Sequence, residues 1–142
     1  MEHYEMTSNP FSLQGQVALI TGGGTGIGLA IAHAFVGQGA RVLISGRRED
    51  VLQQAVDQLG ERATYRVHDV TQTEQAEELI DGVEQALGPI TALVNNAGNQ
   101  VRGPAEELGN DGLQQVMDVH VNGAFALSRA AAQRMLDKRE GS

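Results

Sequence analysis

The sequence predicts an α/β fold, a parallel sheet with helices on both faces, and three observations carry that prediction. Short apolar runs rich in β-formers alternate with apolar stripes at helical spacing, in the order β-α-β-α-β-α-β-α and with short connections. The runs at residues 17–20 and 42–44 are continuously apolar, as strands covered on both faces are, rather than alternating. The first run also passes through glycines into a helical stripe, VALITGGGTGIG, the local pattern of a strand, a tight turn and a helix start.

Residues 1–14 lack periodicity and contain the turn signal Asn9-Pro10. They read as an extension on the surface, tacked down by Phe11 and Leu13, and residues 15–142 read as one domain. After the first strand, Thr21 opens the glycine loop. Gly22 is free to take backbone angles that a side chain forbids, Gly26 allows the backbone close to a diphosphate, and Gly28 allows the helix to pack on the strand. The helix carries Ile27, Ala30, Ile31, Ala34 and Phe35, with Gly37 and Gly39 as its stop. A second strand over 41–45 leads through Arg47-Arg48 into a helix over about 49–59, striped by Val51, Leu52, Ala55, Val56 and Leu59 and capped by Gly60.

The third strand, 63–67, is interrupted by Arg66 and suits a sheet edge. Thr71 with Glu74 three residues on is a capping-box signature for a helix striped by Ala76, Leu79, Ile80, Val83 and Leu87, which Gly88-Pro89 ends. The fourth strand, 90–94, runs straight into Asn95-Asn96-Ala97-Gly98. One last long helix starts within 108–112 and carries Leu113, Val116, Met117, Val121, Ala124, Leu127 and Ala131 on a single face.

Composition narrows the function. A net charge of −8, with ten basic residues spread singly or in pairs, argues against a nucleic-acid surface and an anionic membrane. No apolar run approaches the roughly 20 residues of a membrane helix, and the acidic start MEHYEMTSNP is no signal peptide. The chain has no cysteine, which fits a cytoplasmic location. His3, His33 and His68 show no metal-ligand spacing, so no metal is expected.

TGGGTGIG after the first strand, His68-Asp69-Val70 after the third and NNAG after the fourth together resemble the short-chain dehydrogenase/reductase family. Thr21, Gly22, Gly26 and Gly28 match every fixed position of its TGxxxGxG pattern. The resemblance implies a Rossmann-type sheet in spatial order 3-2-1-4, truncated after about four strands, with two helices on each face. It also implies a nicotinamide dinucleotide across the carboxyl ends of the strands. On that reading Thr21, Gly22, Thr25, Gly26, Ile27 and Gly28 form the cofactor-binding loop, Asp69 and Val70 meet the adenine, Asn96 braces the central strands, and Ala97 and Gly98 border the cofactor. An NAD site needs an acid at the end of the second strand, where this chain has Ser45-Gly46-Arg47. NADP is therefore favoured over NAD, with Arg47 on the 2′-phosphate and Arg48 sharing the role. The plain alternative is two solvated arginines at a helix start.

Two departures stand out. The family's hydride chemistry is similar to general acid catalysis by a tyrosine with a lysine four residues on. Here Tyr4 and Tyr65 are followed at that spacing by Ser8 and Asp69, and the only lysine is Lys138. The expectation is the cofactor-binding part of an enzyme interconverting an alcohol and a carbonyl compound, this chain alone being inactive. The alternative is a non-catalytic nucleotide-binding or dimerisation module. A methyltransferase is disfavoured because it has no use for NNAG, and phosphoryl transfer because no GK[ST] follows the glycines. Second, His120 stands where the family commonly has the Asn of Asn-x-x-Gly. The resemblance implies a proton-relay role for it, whereas its place on the apolar stripe with Met117 and Ala124 implies a core histidine. The family also commonly packs this last helix against a second subunit, which implies a homo-oligomer.

Overall fold

A computed structural model of the protein describes residues 9–142. The elements run β1 (Val17–Thr21), α1 (Gly26–Gly37), β2 (Arg41–Gly46), α2 (Glu49–Leu59), β3 (Ala63–Val67), α3 (Ala76–Leu87), β4 (Ala92–Val94), α4 (Asn110–Met117) and α5 (Ala124–Lys138). The strands form one parallel sheet in the order β3-β2-β1-β4, a Rossmann-type arrangement.

Alternation along the strands divides the core into two layers. Val17, Leu19 and Leu43 point to one face and pack with Leu79, Ile80 and Val83 of α3 and Leu127 and Ala131 of α5. Ala18, Ile20, Val42 and Ile44 point to the other, against Ala32 of α1 and Leu52, Ala55 and Leu59 of α2. Each fully buried Leu, Ile or Val contributes about 1.5–3 kcal/mol over its exposed state. The unbroken apolar runs of β1 and β2 thus have a physical reason, since both of their faces are covered. β3 lies at the edge, and its exposed end, Arg66 and Val67, fits that place.

The structure departs from the sequence reading in four places. Phe11 is exposed and tacks nothing down, whereas Leu13 packs on the α1–α2 layer; residues 1–8 of the expected extension lie outside the described residues. β4 is shorter than 90–94, because Thr91 binds β1 through its side chain as well as its backbone. Its Oγ1 accepts from the Val17 N–H at 2.9 Å, and its own N–H donates to the Val17 carbonyl at 2.9 Å. No capping box forms at Thr71 and Glu74. The Thr71 N–H and hydroxyl both donate to Asp69 Oδ1, at 3.0 and 2.8 Å, and a 3-10 turn at Thr73–Gln75 precedes α3. The carboxylate two residues back outcompetes the helix start for those donors.

The fourth departure is the last helix, which is not one helix. A π-helical stretch, Asp118–Gly123, separates α4 from α5. Such a stretch inserts one residue into the helical count and rotates what precedes it by about 100°. Leu113, Met117 and Val121 of the expected core stripe consequently face outward, in line with exposed Phe125, while Leu127 and Ala131 are buried. Inside the stretch, Gln114 Nε2 and Asn122 Nδ2 donate to Asp118 Oδ1 at 2.7 and 2.9 Å. Gly123 lies so close to the turn after β3 that an added Cβ would stand 2.5 Å from the Val70 carbonyl oxygen. That approach presses the helix against the carboxyl ends of the strands.

At the outer edge of β4, the Ser142 N–H donates to the Thr91 carbonyl at 2.8 Å and the Leu93 N–H to the Ser142 carbonyl at 3.0 Å. This is the parallel-ladder pattern, so the outer edge of β4 is met at one residue.

Candidate functional site

A cavity of about 550 Å³ opens over the carboxyl ends of the strands. Its floor is the loop after β1. Gly22 takes φ +64°, and a Cβ there would meet Asn96 Nδ2 at 3.0 Å and the Ala97 Cα at 3.1 Å. Gly28 is tighter still, since a Cβ would collide with the Gly22 carbonyl oxygen and Asn96 Nδ2. α1 is therefore drawn onto its own loop. Thr21 and Asn96 lock the floor from behind. The Thr21 hydroxyl oxygen accepts from the Asn96 and Ala97 N–H groups at 3.1 and 3.0 Å, and Asn96 Nδ2 donates to the carbonyls of Thr21 and Gly22 at 3.0 and 3.2 Å.

Thr25 caps α1 without a side-chain hydrogen bond, and no acid occupies the first turn. The positive end of the helix dipole is left without a counter-charge of the chain's own, which suits an anion. At the end of β2 stands Ser45, 1% exposed, a residue of the cavity wall whose hydroxyl has no hydrogen-bond partner among the described residues. Beside it Arg47 and Arg48 line the rim, and neither joins an ion pair among the described residues. The end of β3 adds His68, Asp69 and Val70. Partial burial raises the Asp69 carboxyl, but the hydrogen bonds from Thr71, then Arg47 and His68, outweigh it and hold the group below its ordinary value. Burial pushes the His68 imidazole below its ordinary value, against the opposing pull of Asp69, Glu78 and Glu74.

The structure thus brings Gly22, Thr25, Arg47, Arg48, Asp69, Val70, Ala97 and Gly98 of the expected site into one wall. Thr21, Gly28 and Asn96 act behind it. Gly26, at φ +54°, has open space where a Cβ would be, and Ile27 is exposed and borders no part of the cavity.

His120 is corrected on one count: it is exposed, so it is not a core histidine. It stands behind the wall residues Gly98 and Asn99 rather than on the cavity wall itself. The π turn carries it off the apolar stripe. Its Nε2 lies 3.0 Å from the Asn99 carbonyl oxygen and 3.2 Å from the Asn99 nitrogen, and its Cε1 fills the space a side chain at Gly98 would take. Sequence reasoning missed Ser45, Asn99, Gln115, Asp118 and Val119, all on the wall. Only Ser45 had a signal, its position at the carboxyl end of a buried strand.

These parts fit an extended ligand with an anionic middle over the glycine loop and a second anionic or hydroxylated group at Ser45 and Arg47. The likeness to known proteins agrees. The sequence profile of the family described as short chain dehydrogenase matches residues 16–142. The NADP-dependent (R)-specific alcohol dehydrogenase of Lentilactobacillus kefiri is 39% identical over 132 residues, which are 92% of this chain and 52% of that protein. Gluconate 5-dehydrogenase of Gluconobacter oxydans is 36% identical over 134 residues, again 92% and 52%. The crystal structure of serine dehydrogenase from Escherichia coli superposes with a TM-score of 0.80 at 30% identity, over 87% of this chain and 58% of that one. This chain spans about half the length of the curated relatives it matches. With the profile covering all but its first residues, the chain belongs to the short-chain dehydrogenase family.

Proposed function

We propose that the cavity holds NADP(H), and that the chain is the cofactor-binding part of an oxidoreductase that interconverts an alcohol and a carbonyl compound. Bound there, the dinucleotide supplies or accepts a hydride. The chain's residues hold it. The α1 N-terminus and glycine loop take the diphosphate, Asp69 and Val70 take the adenine, and Arg47 with Arg48 takes the 2′-phosphate.

The observation that carries the cofactor choice is the end of β2, where two rim arginines that join no ion pair among the described residues stand beside the Ser45 hydroxyl, which has no partner there, and the strand ends in Ser45-Gly46-Arg47 rather than in an acid for ribose hydroxyls. A guanidinium–phosphate hydrogen bond is worth about 1.5–3 kcal/mol, or roughly 10- to 150-fold in affinity. Arg47→Asp should therefore weaken NADPH binding by at least about tenfold while NADH binding changes little; equal losses would refute the 2′-phosphate role. The NADP dependence of the Lentilactobacillus kefiri relative supports the same choice.

Among the described residues, the Tyr65 hydroxyl donates to Glu49 at 3.2 Å and Lys138 pairs with Glu84 at 3.2 Å, neither of them on the cavity wall. This favours a second reading, a non-catalytic dinucleotide-binding module. The intact mass of the protein from its source cell separates the two, a mass well above 15.1 kDa supporting the enzyme. A second copy of the chain, packed on the outward apolar stripe of α4 and α5, completes the reading.

A further inference from the structure

Asn99 lines the cavity wall and carries one buried polar atom that neither the glycine loop nor the arginines explain. Asn99 follows Gly98, and its Nδ2 donates to the Gln115 carbonyl of α4 at 3.1 Å. That bond fixes which end of the amide is which, since a carbonyl accepts only from the NH₂ end. Oδ1 is then the opposite end, shielded from solvent and without a donor in reach. The backbone of the residue meets His120 as well: Nε2 lies 3.2 Å from the Asn99 nitrogen and 3.0 Å from its carbonyl oxygen, and engages one or the other according to the imidazole tautomer. The side-chain NH₂ is thus used within the chain, and Oδ1 is not. A buried acceptor without a donor is costly, and a ligand that brings a donor removes the cost.

The sheet order says which part of a ligand could bring it. Arg47 and Asp69 follow β2 and β3 on one side of β1, the glycine loop follows β1 itself, and Asn99 follows β4 on the other side. A dinucleotide with its phosphorylated adenosine at Arg47 and its diphosphate over the loop directs its other nucleoside toward Asn99. We infer that Asn99 is a positioning residue whose Oδ1 accepts a hydrogen bond from an N–H or O–H donor on the nicotinamide-riboside half of the cofactor. The inference rests on the dinucleotide reading above.

The test compares NADPH with adenosine 2′,5′-bisphosphate, which lacks the nicotinamide riboside, by calorimetric titration into the unsubstituted protein and Asn99→Leu. The expected result is a loss of roughly 3- to 10-fold for NADPH with the bisphosphate affinity unchanged. Equal losses for both ligands would mean that Asn99 only holds the wall together, and no loss for either would mean that Oδ1 meets no ligand donor; each overturns the assignment. If the unsubstituted protein bound neither ligand, the dinucleotide reading itself would fail. Because leucine also removes the bond to Gln115, a second measurement uses the unsubstituted protein alone. The side-chain amide resonances of Asn99 should move with NADPH and stay in place with the bisphosphate; resonances unmoved by both overturn the proposal.

Discussion

At the residue scale, the site is built from groups whose own needs are left unmet. Among the described residues, Ser45 and Asn99 each bury an oxygen without a partner, and Arg47 and Arg48 stand at the rim without an ion pair. Arg47 and Asp69 were legible in the sequence because their place is set by counting from the ends of strands. The unmet oxygens were not, because a hydroxyl or an amide becomes an orphan only after folding has removed its water. His68 has a consequence for stability. Burial lowers its proton affinity below the ordinary value of 6.5, so near and below that pH the unfolded chain binds more protons than the folded one. Stability therefore falls as pH drops below 6.5 and stops falling only beneath the folded value. Asp69 works in the same direction but lower, since its depressed value keeps its contribution intact above its ordinary 3.8. His68→Gln should accordingly lose less stability than the parent between pH 7.5 and 5.5 in urea titrations. A loss of the same size in both proteins would show that burial of this imidazole is not the cause.

At the scale of elements, β1 and β2 were readable because a strand covered on both faces needs an unbroken apolar run, and α1 and α2 because their ends fall at glycines. The helix after β4 was misread for a physical reason. Its stripe assumes 3.6 residues per turn throughout, and the π turn at Asp118–Gly123 coincides with a contact distant in sequence, the seat of Gly123 on the Val70 carbonyl. One inserted residue moves Leu113, Met117 and Val121 from the inner face to the outer, at a spacing of four that Phe125 continues. An apolar row on a solvent-facing helix surface is the mark of an interface. With a second copy as the occupant, Val121→Glu places two charges in that contact. The dimer dissociation constant should rise by at least about tenfold, a cost of roughly 1.4 kcal/mol, read by light scattering across a dilution series. A parent protein that is monomeric throughout, or a variant that dimerises as well as the parent, would remove the proposal.

At the scale of the whole molecule, chain order becomes a ligand's path. Because the sheet runs β3-β2-β1-β4, the turns after all four strands open on one edge, and the cavity crosses that edge from Arg47 and Asp69 through the glycine loop to Asn99. That crossing was legible in the sequence from the order of three short motifs. The fourth wall, made by Gln115, Asp118 and Val119, was not, because it depends on how α4 and the π turn fold back over the strands. The proposed role of this edge is to bind a nicotinamide dinucleotide and read its 2′-phosphate. The most direct test is calorimetric titration of NADPH and NADH into the unsubstituted protein. NADPH should bind roughly 10- to 150-fold more tightly, the worth of one charge-assisted hydrogen bond. NADH binding as tightly as NADPH, or no binding of either, would contradict it.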